Sequence, residues 1–129
     1  MSEERYDKGL AQLEKMGGES VQAMLHQLDD MSPDLTRMTV AFAYGDVLSR
    51  PGLDLRTRQL ATVAALTALG TAPVQLRAHI DMALAVGCTR DEIREVIIQM
   101  AVYAGFPAAL NGMAAAKEVF RGRDEGETG

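Results

Sequence analysis

With 129 residues, the chain has the usual size of a single domain, long enough to hide roughly two-thirds of its unfolded surface in one core. A composition that is 47% hydrophobic and 24% charged excludes a disordered chain. A net charge of −5 excludes the basic field that a nucleic acid or an anionic membrane would need, so neither is expected as a partner.

Ser2, Glu3 and Glu4 place a capping hydroxyl and two acids at the first helix start, and Gly17-Gly18 stops that helix. This opening stretch has no apolar signal-peptide core. No later run approaches the ~20 apolar residues needed to span a bilayer, so a cytoplasmic protein without a membrane segment is expected. A second helix is predicted from Ser20 to about Met31. Ser32-Pro33-Asp34 supplies a cap, a first-turn proline and a first-turn acid for a third helix, which runs towards Ser49 and ends at the turn Arg50-Pro51-Gly52. Asp54 caps a helix from about Leu55 to Leu69, where Gly70 is the left-handed stop. Thr71 is the expected cap of the next, which continues to Val86 and stops at Gly87. Thr89-Arg90-Asp91-Glu92 reads as a capping box for a helix ending at Gly105, and Pro107 restarts a last one that reaches about Phe120.

No window alternates apolar and polar residues for long enough to be a strand, so the fold class is all-α, a helical bundle of about six to seven helices. Residues 1–120 form the expected single domain, and the charged, glycine-rich segment 121–129 is expected to be a disordered tail. From Val96 to Ala116 the chain is apolar nearly all round. A protein this small cannot cover such a helix with its own residues, which predicts a homo-oligomer.

Few side chains are equipped for chemistry. One cysteine, Cys88, and two histidines, His26 and His79, cannot build a cysteine-rich or HExxH-type metal site, so no metal is expected. His79 lies mid-helix with Leu76, Met82 and Ala83 as its three- and four-residue neighbours, and therefore points inward. It reads either as a hydrogen-bonded core histidine or as a general acid/base with a pKa near working pH. Arg56 and Arg58 occupy a first helical turn, where positive charge opposes the macrodipole. That placement is surface arginine or a guanidinium fork for a small carboxylate, with Arg50 a third candidate for the same anion. Glu92, Glu95, Gln99 and Tyr103 recur at helical spacing as a polar ridge, from which Glu95 is a candidate catalytic group and Tyr103 a candidate substrate contact. Asn111, polar among alanines, must find a partner if buried.

In Phe42-Ala43-Tyr44-Gly45-Asp46, Ser49-Arg50-Pro51-Gly52-Leu53-Asp54, Arg56-Thr57-Arg58, Leu66 to Gly70, Leu76 to His79, Ala83 to Thr89, Glu92 to Val96 and Tyr103 to Ala109, the chain resembles the carboxymuconolactone decarboxylases of the alkylhydroperoxidase D-like superfamily. The likeness runs from about Arg5 to Phe120. It implies the superfamily's all-helical fold, a ring-shaped homohexamer built as a trimer of dimers, and decarboxylation of a small anionic organic substrate with no cofactor. It also matches the family's histidine to His79 and its helix-start arginine to Arg58, with Arg56 beside it. The thiol-peroxidase branch needs a CxxC before that histidine, where this chain has Ala72-Pro73-Val74-Gln75. Two departures stand out: Gly112-Met113-Ala114 where some decarboxylases carry a further histidine, and Cys88 in place of an aliphatic residue. The implied reaction converts 4-carboxymuconolactone to the β-ketoadipate enol-lactone and carbon dioxide. The alternatives are a lactone- or polyketide-tailoring enzyme on the same scaffold, a binding or stress-response module without turnover, and a thiol peroxidase.

Overall fold

A computed structural model describes residues 3–128, so the expected cap Ser2 and the terminal Gly129 lie outside the described residues. Seven α-helices follow one another: α1 (Glu3–Lys15), α2 (Glu19–His26), α3 (Pro33–Thr39), α4 (Leu55–Leu69), α5 (Pro73–Ala85), α6 (Arg90–Ala104) and α7 (Phe106–Thr128). Among the described residues there is no strand. Local chemistry sets the starts. The Ser32 hydroxyl accepts from the Leu35 N–H at 3.2 Å, and the Asp54 carboxylate accepts from the Thr57 N–H at 2.7 Å. Thr89 and Glu92 form the reciprocal capping box, at 3.0 and 2.9 Å.

Four local expectations are corrected. The second helix ends at His26, and turns carry the chain on to Met31. The third widens after Thr39 into a π-helical segment, Val40–Val47, whose last turn bonds Leu48 N–H to the Ala43 carbonyl five residues back. That segment lies hard against α1: a Cβ on Gly45 would stand 2.5 Å from the Arg5 carbonyl oxygen, and one on Gly9 would collide with that of Val40. Thr71 is not the cap of α5; Ala72 holds that position without a side-chain bond, and Pro73 opens the helix.

The fourth correction concerns the tail, because α7 continues through the segment expected to be disordered as far as Thr128. Tertiary ion pairs outweigh its composition. Arg123 donates to the Asp81 carboxylate at 2.7 Å and to the Asp81 carbonyl at 3.0 Å, and Arg90 pairs with Asp124 at 2.7 Å.

Two cores result, and α5 belongs to both. Val63, Ile80, Ile93, Ile97 and Ala116 pack α4 to α7 together, while Leu13, Met16, Val21, Tyr44 and Met82 pack α1, α2 and the π-helical segment against the opposite side of α5. Fully burying an Ile or Leu stabilises by about 1.5–3 kcal/mol, so α5 is held on two faces. Gly112 lets α7 cross closely, since a Cβ there would lie 2.8 Å from Thr67 Cγ2. By contrast, Ile98, Val102, Tyr103, Phe106 and Leu110 stay exposed along α6 and the start of α7.

Candidate active site

His79 sits between the two cores, on α5, with its ring turned to α4. Its Nδ1 lies 3.3 Å from Oε1 of Gln59, twenty residues earlier in the chain. Gln59 is fully buried, and its Nε2 has no partner. Burial pushes the His79 pKa down to about 4, with no charged neighbour contributing. The expected near-neutral pKa is therefore corrected: the ring is uncharged at pH 7.

The α4 start holds the arginines, and the fold treats them differently. Arg58 donates from Nη2 to the Arg50 carbonyl oxygen at 2.9 Å, while its Nε is buried with no acceptor. This brings Arg58 and Arg50 together through the Arg50 backbone, and no described residue pairs with the Arg50 guanidinium. Arg56 instead donates to both carboxylate oxygens of Glu92 at 2.6 Å and to the Gly87 carbonyl at 3.2 Å. The pairing raises the pKa of Arg56 and lowers that of Glu92, so both stay charged and tie α4 to α6.

Such a set can hold an organic anion at the start of α4 and handle a proton at a neutral imidazole. Comparison with known proteins gives that chemistry a family. The Carboxymuconolactone decarboxylase family profile matches residues 33–118. The chain belongs to the carboxymuconolactone decarboxylase family. It is 41% identical over 120 residues to 4-carboxymuconolactone decarboxylase of Acinetobacter baylyi, a match covering 92% of this chain and 89% of that protein. It is 34% identical over 102 residues, 78% of this chain and 76% of the relative, to an uncharacterized 15.0 kDa protein in the nqo9-nqo10 intergenic region of Paracoccus denitrificans. Nitrosuccinic acid decarboxylase of Metarhizium robertsii is 29% identical over 124 residues, covering 95% of this chain and 86% of the relative.

Within this carboxymuconolactone decarboxylase scaffold, the remaining candidates lie apart from the His79–Gln59 pair. Glu95 and Tyr103 are exposed on α6 and pair with no described residue. Cys88 is buried, donates to the Arg56 carbonyl at 3.5 Å and has its thiol pushed up in pKa by burial, the opposite of an activated nucleophile. Asn111 is exposed and lines a cavity of about 280 Å³ between α4, α5 and α7, whose walls include Thr67, Leu76 and Arg77 but not His79. Among the described residues no three His, Cys, Asp or Glu side chains converge as metal ligands. Gln59 escaped the sequence reading, because a glutamine one residue after Arg58 carries no local mark of burial.

Proposed function

We propose that this chain decarboxylates a small lactone carboxylic acid, 4-carboxymuconolactone, giving the β-ketoadipate enol-lactone and carbon dioxide. The observation that carries this reading is a neutral, half-buried imidazole on α5 in a chain 41% identical to a 4-carboxymuconolactone decarboxylase across nine-tenths of its length. The substrate supplies its own electron sink. As the C–C bond to the carboxylate breaks, its electron pair moves through the conjugated C=C onto the lactone carbonyl oxygen, and carbon dioxide leaves. A proton then returns to the carbon beside the lactone carbonyl, leaving the C=C at the ring oxygen of the enol-lactone. No organic cofactor or metal is needed to accept that pair.

In this reading the stranded Nε of Arg58, with the Arg50 guanidinium, takes the substrate carboxylates. His79 works as a neutral ring that hydrogen-bonds the developing enolate and passes the returning proton. Arg56 acts by tying α4 to α6. The exposed apolar face of α6 and α7 supports a homo-oligomer, here a hexamer built as a trimer of dimers, and Glu95 and Tyr103 act on substrate through that contact. A cytoplasmic place in aromatic-compound catabolism follows from the substrate.

A second reading has a specific support, the likeness to nitrosuccinic acid decarboxylase. Nitrosuccinic acid also carries a carboxylate beside an electron-withdrawing group, so a different small acid with an internal sink fits the same machinery. The test is incubation of the protein with 4-carboxymuconolactone and, separately, nitrosuccinic acid, following carbon dioxide. Release from the lactone is expected; release from nitrosuccinic acid alone would move the assignment to the second reading.

A further inference from the structure

Three buried polar atoms near α5 lack a partner, Arg58 Nε, Thr67 Oγ1 and Gln59 Nε2, and the last belongs to the side chain that meets the proposed catalytic histidine. Arg77 pairs with Glu118 at 3.5 Å, Asp81 accepts from Ser20 at 2.6 Å and from Arg123 at 2.7 Å, and Arg58 donates to Arg50 at 2.9 Å. No charge from α2, α4, α6 or α7 acts on the His79 ring, which responds to burial alone. The side chain that meets the ring is Gln59, fully buried with half of its amide unpartnered. Burying an amide with a stranded donor costs stability that a methionine of similar length would not. The fold accommodates that cost at the one place where an amide reaches His79 Nδ1.

We infer that Gln59 is the positioning residue of the site, orienting the His79 ring through Nδ1 so that the ring's Nε2 faces the substrate. The inference rests on His79 being catalytic. An amide suits the task chemically. It can accept from Nδ1–H through Oε1 or, after a half-turn, donate to a bare Nδ1 through Nε2, so it holds the ring in either tautomer as the proton passes. A carboxylate in the same place would bind the ring's second proton and lock in an imidazolium.

Two substitutions test this, each checked for fold by far-UV circular dichroism. Gln59→Met removes the hydrogen bond at similar volume, and kcat is expected to fall about 10- to 100-fold with KM within about threefold. Gln59→Glu keeps the shape and adds charge. In a ring-nitrogen NMR titration, the His79 midpoint is expected to rise from about 4 to above 6, and kcat should gain an ionisation limb between pH 6 and 8 that the parent lacks. A folded Gln59→Met enzyme with parental kcat, or a Gln59→Glu enzyme whose His79 titrates as in the parent, overturns the inference. If the methionine variant does not fold, the titration of the glutamate variant decides. Activity retained in His79→Ala would instead remove the decarboxylase mechanism beneath it, so the two failures are distinct.

Discussion

Two surfaces of this protomer reverse the usual placement of polar and apolar groups. At the α4–α5 seam, a buried amide meets a half-buried imidazole, Gln59 being 0% exposed. Along α6 and the start of α7, large apolar side chains face outward, with Val102 77% and Phe106 74% exposed. Each arrangement costs free energy in an isolated chain, and the difference lies in what offsets it. The seam pairs its polar groups inside the protomer, through side chains twenty residues apart. The apolar face is completed only from outside, and the proposed assembly supplies that cover. An inward polar pair thus points to chemistry, and an open apolar face points to association.

The largest break in that contrast is at the seam itself. His79→Ala is expected to lower the decarboxylation rate by about 10²- to 10⁴-fold, the usual contribution of a positioned proton-transfer group, with the helical signal in circular dichroism unchanged. Next comes the open face. Replacing both Val102 and Phe106 by Glu should remove about 3–6 kcal/mol of association free energy, and sedimentation velocity should show folded particles of lower mass than the parent. A parental sedimentation coefficient would show that this face is not the contact.

Acid should strain the seam and spare the face. His79 titrates near 6.5 in the unfolded chain and at about 4 in the fold, so below pH 6.5 the unfolded state binds the extra proton and is favoured. Stability is therefore full above that pH and falls by up to about 3 kcal/mol as pH drops towards 4. Urea midpoints at pH 7 and 4.5 measure it, and His79→Ala should flatten the slope. The paired carboxylates of Asp46, Asp54 and Asp124 are all held below the usual range and titrate later.

The smallest effects separate the α4 arginines. Arg58→Ala should raise KM about tenfold with little change in melting temperature. Arg56→Ala should leave KM near the parental value and lower the melting temperature only slightly, because its bond to Glu92 is half exposed and screened by solvent. The reverse pattern would exchange their roles.

Helix starts were legible because their causes are local. Ser32, Asp54 and Thr89 each bond an amide three residues on, and such a pattern needs no tertiary context. The inward face of His79 was legible for the same reason, through neighbours at three and four residues. The π-helical widening was not, since Val40, Ala41, Tyr44 and Gly45 would also line one face of an α-helix. The helical tail was illegible too, because Asp81 and Arg90, which hold it, lie far back in the chain.

The sequence alone therefore determined the helical class, most of the helix boundaries and the inward face of His79, all of which follow from interactions spanning a turn or two. Only the tertiary structure decided that Arg56 is consumed by Glu92 while Arg58 keeps a free donor, that Gln59 meets His79, and that the ring is neutral. Burial and partnership across helices are set by where distant segments pack, and no local pattern encodes the solvent that a side chain loses.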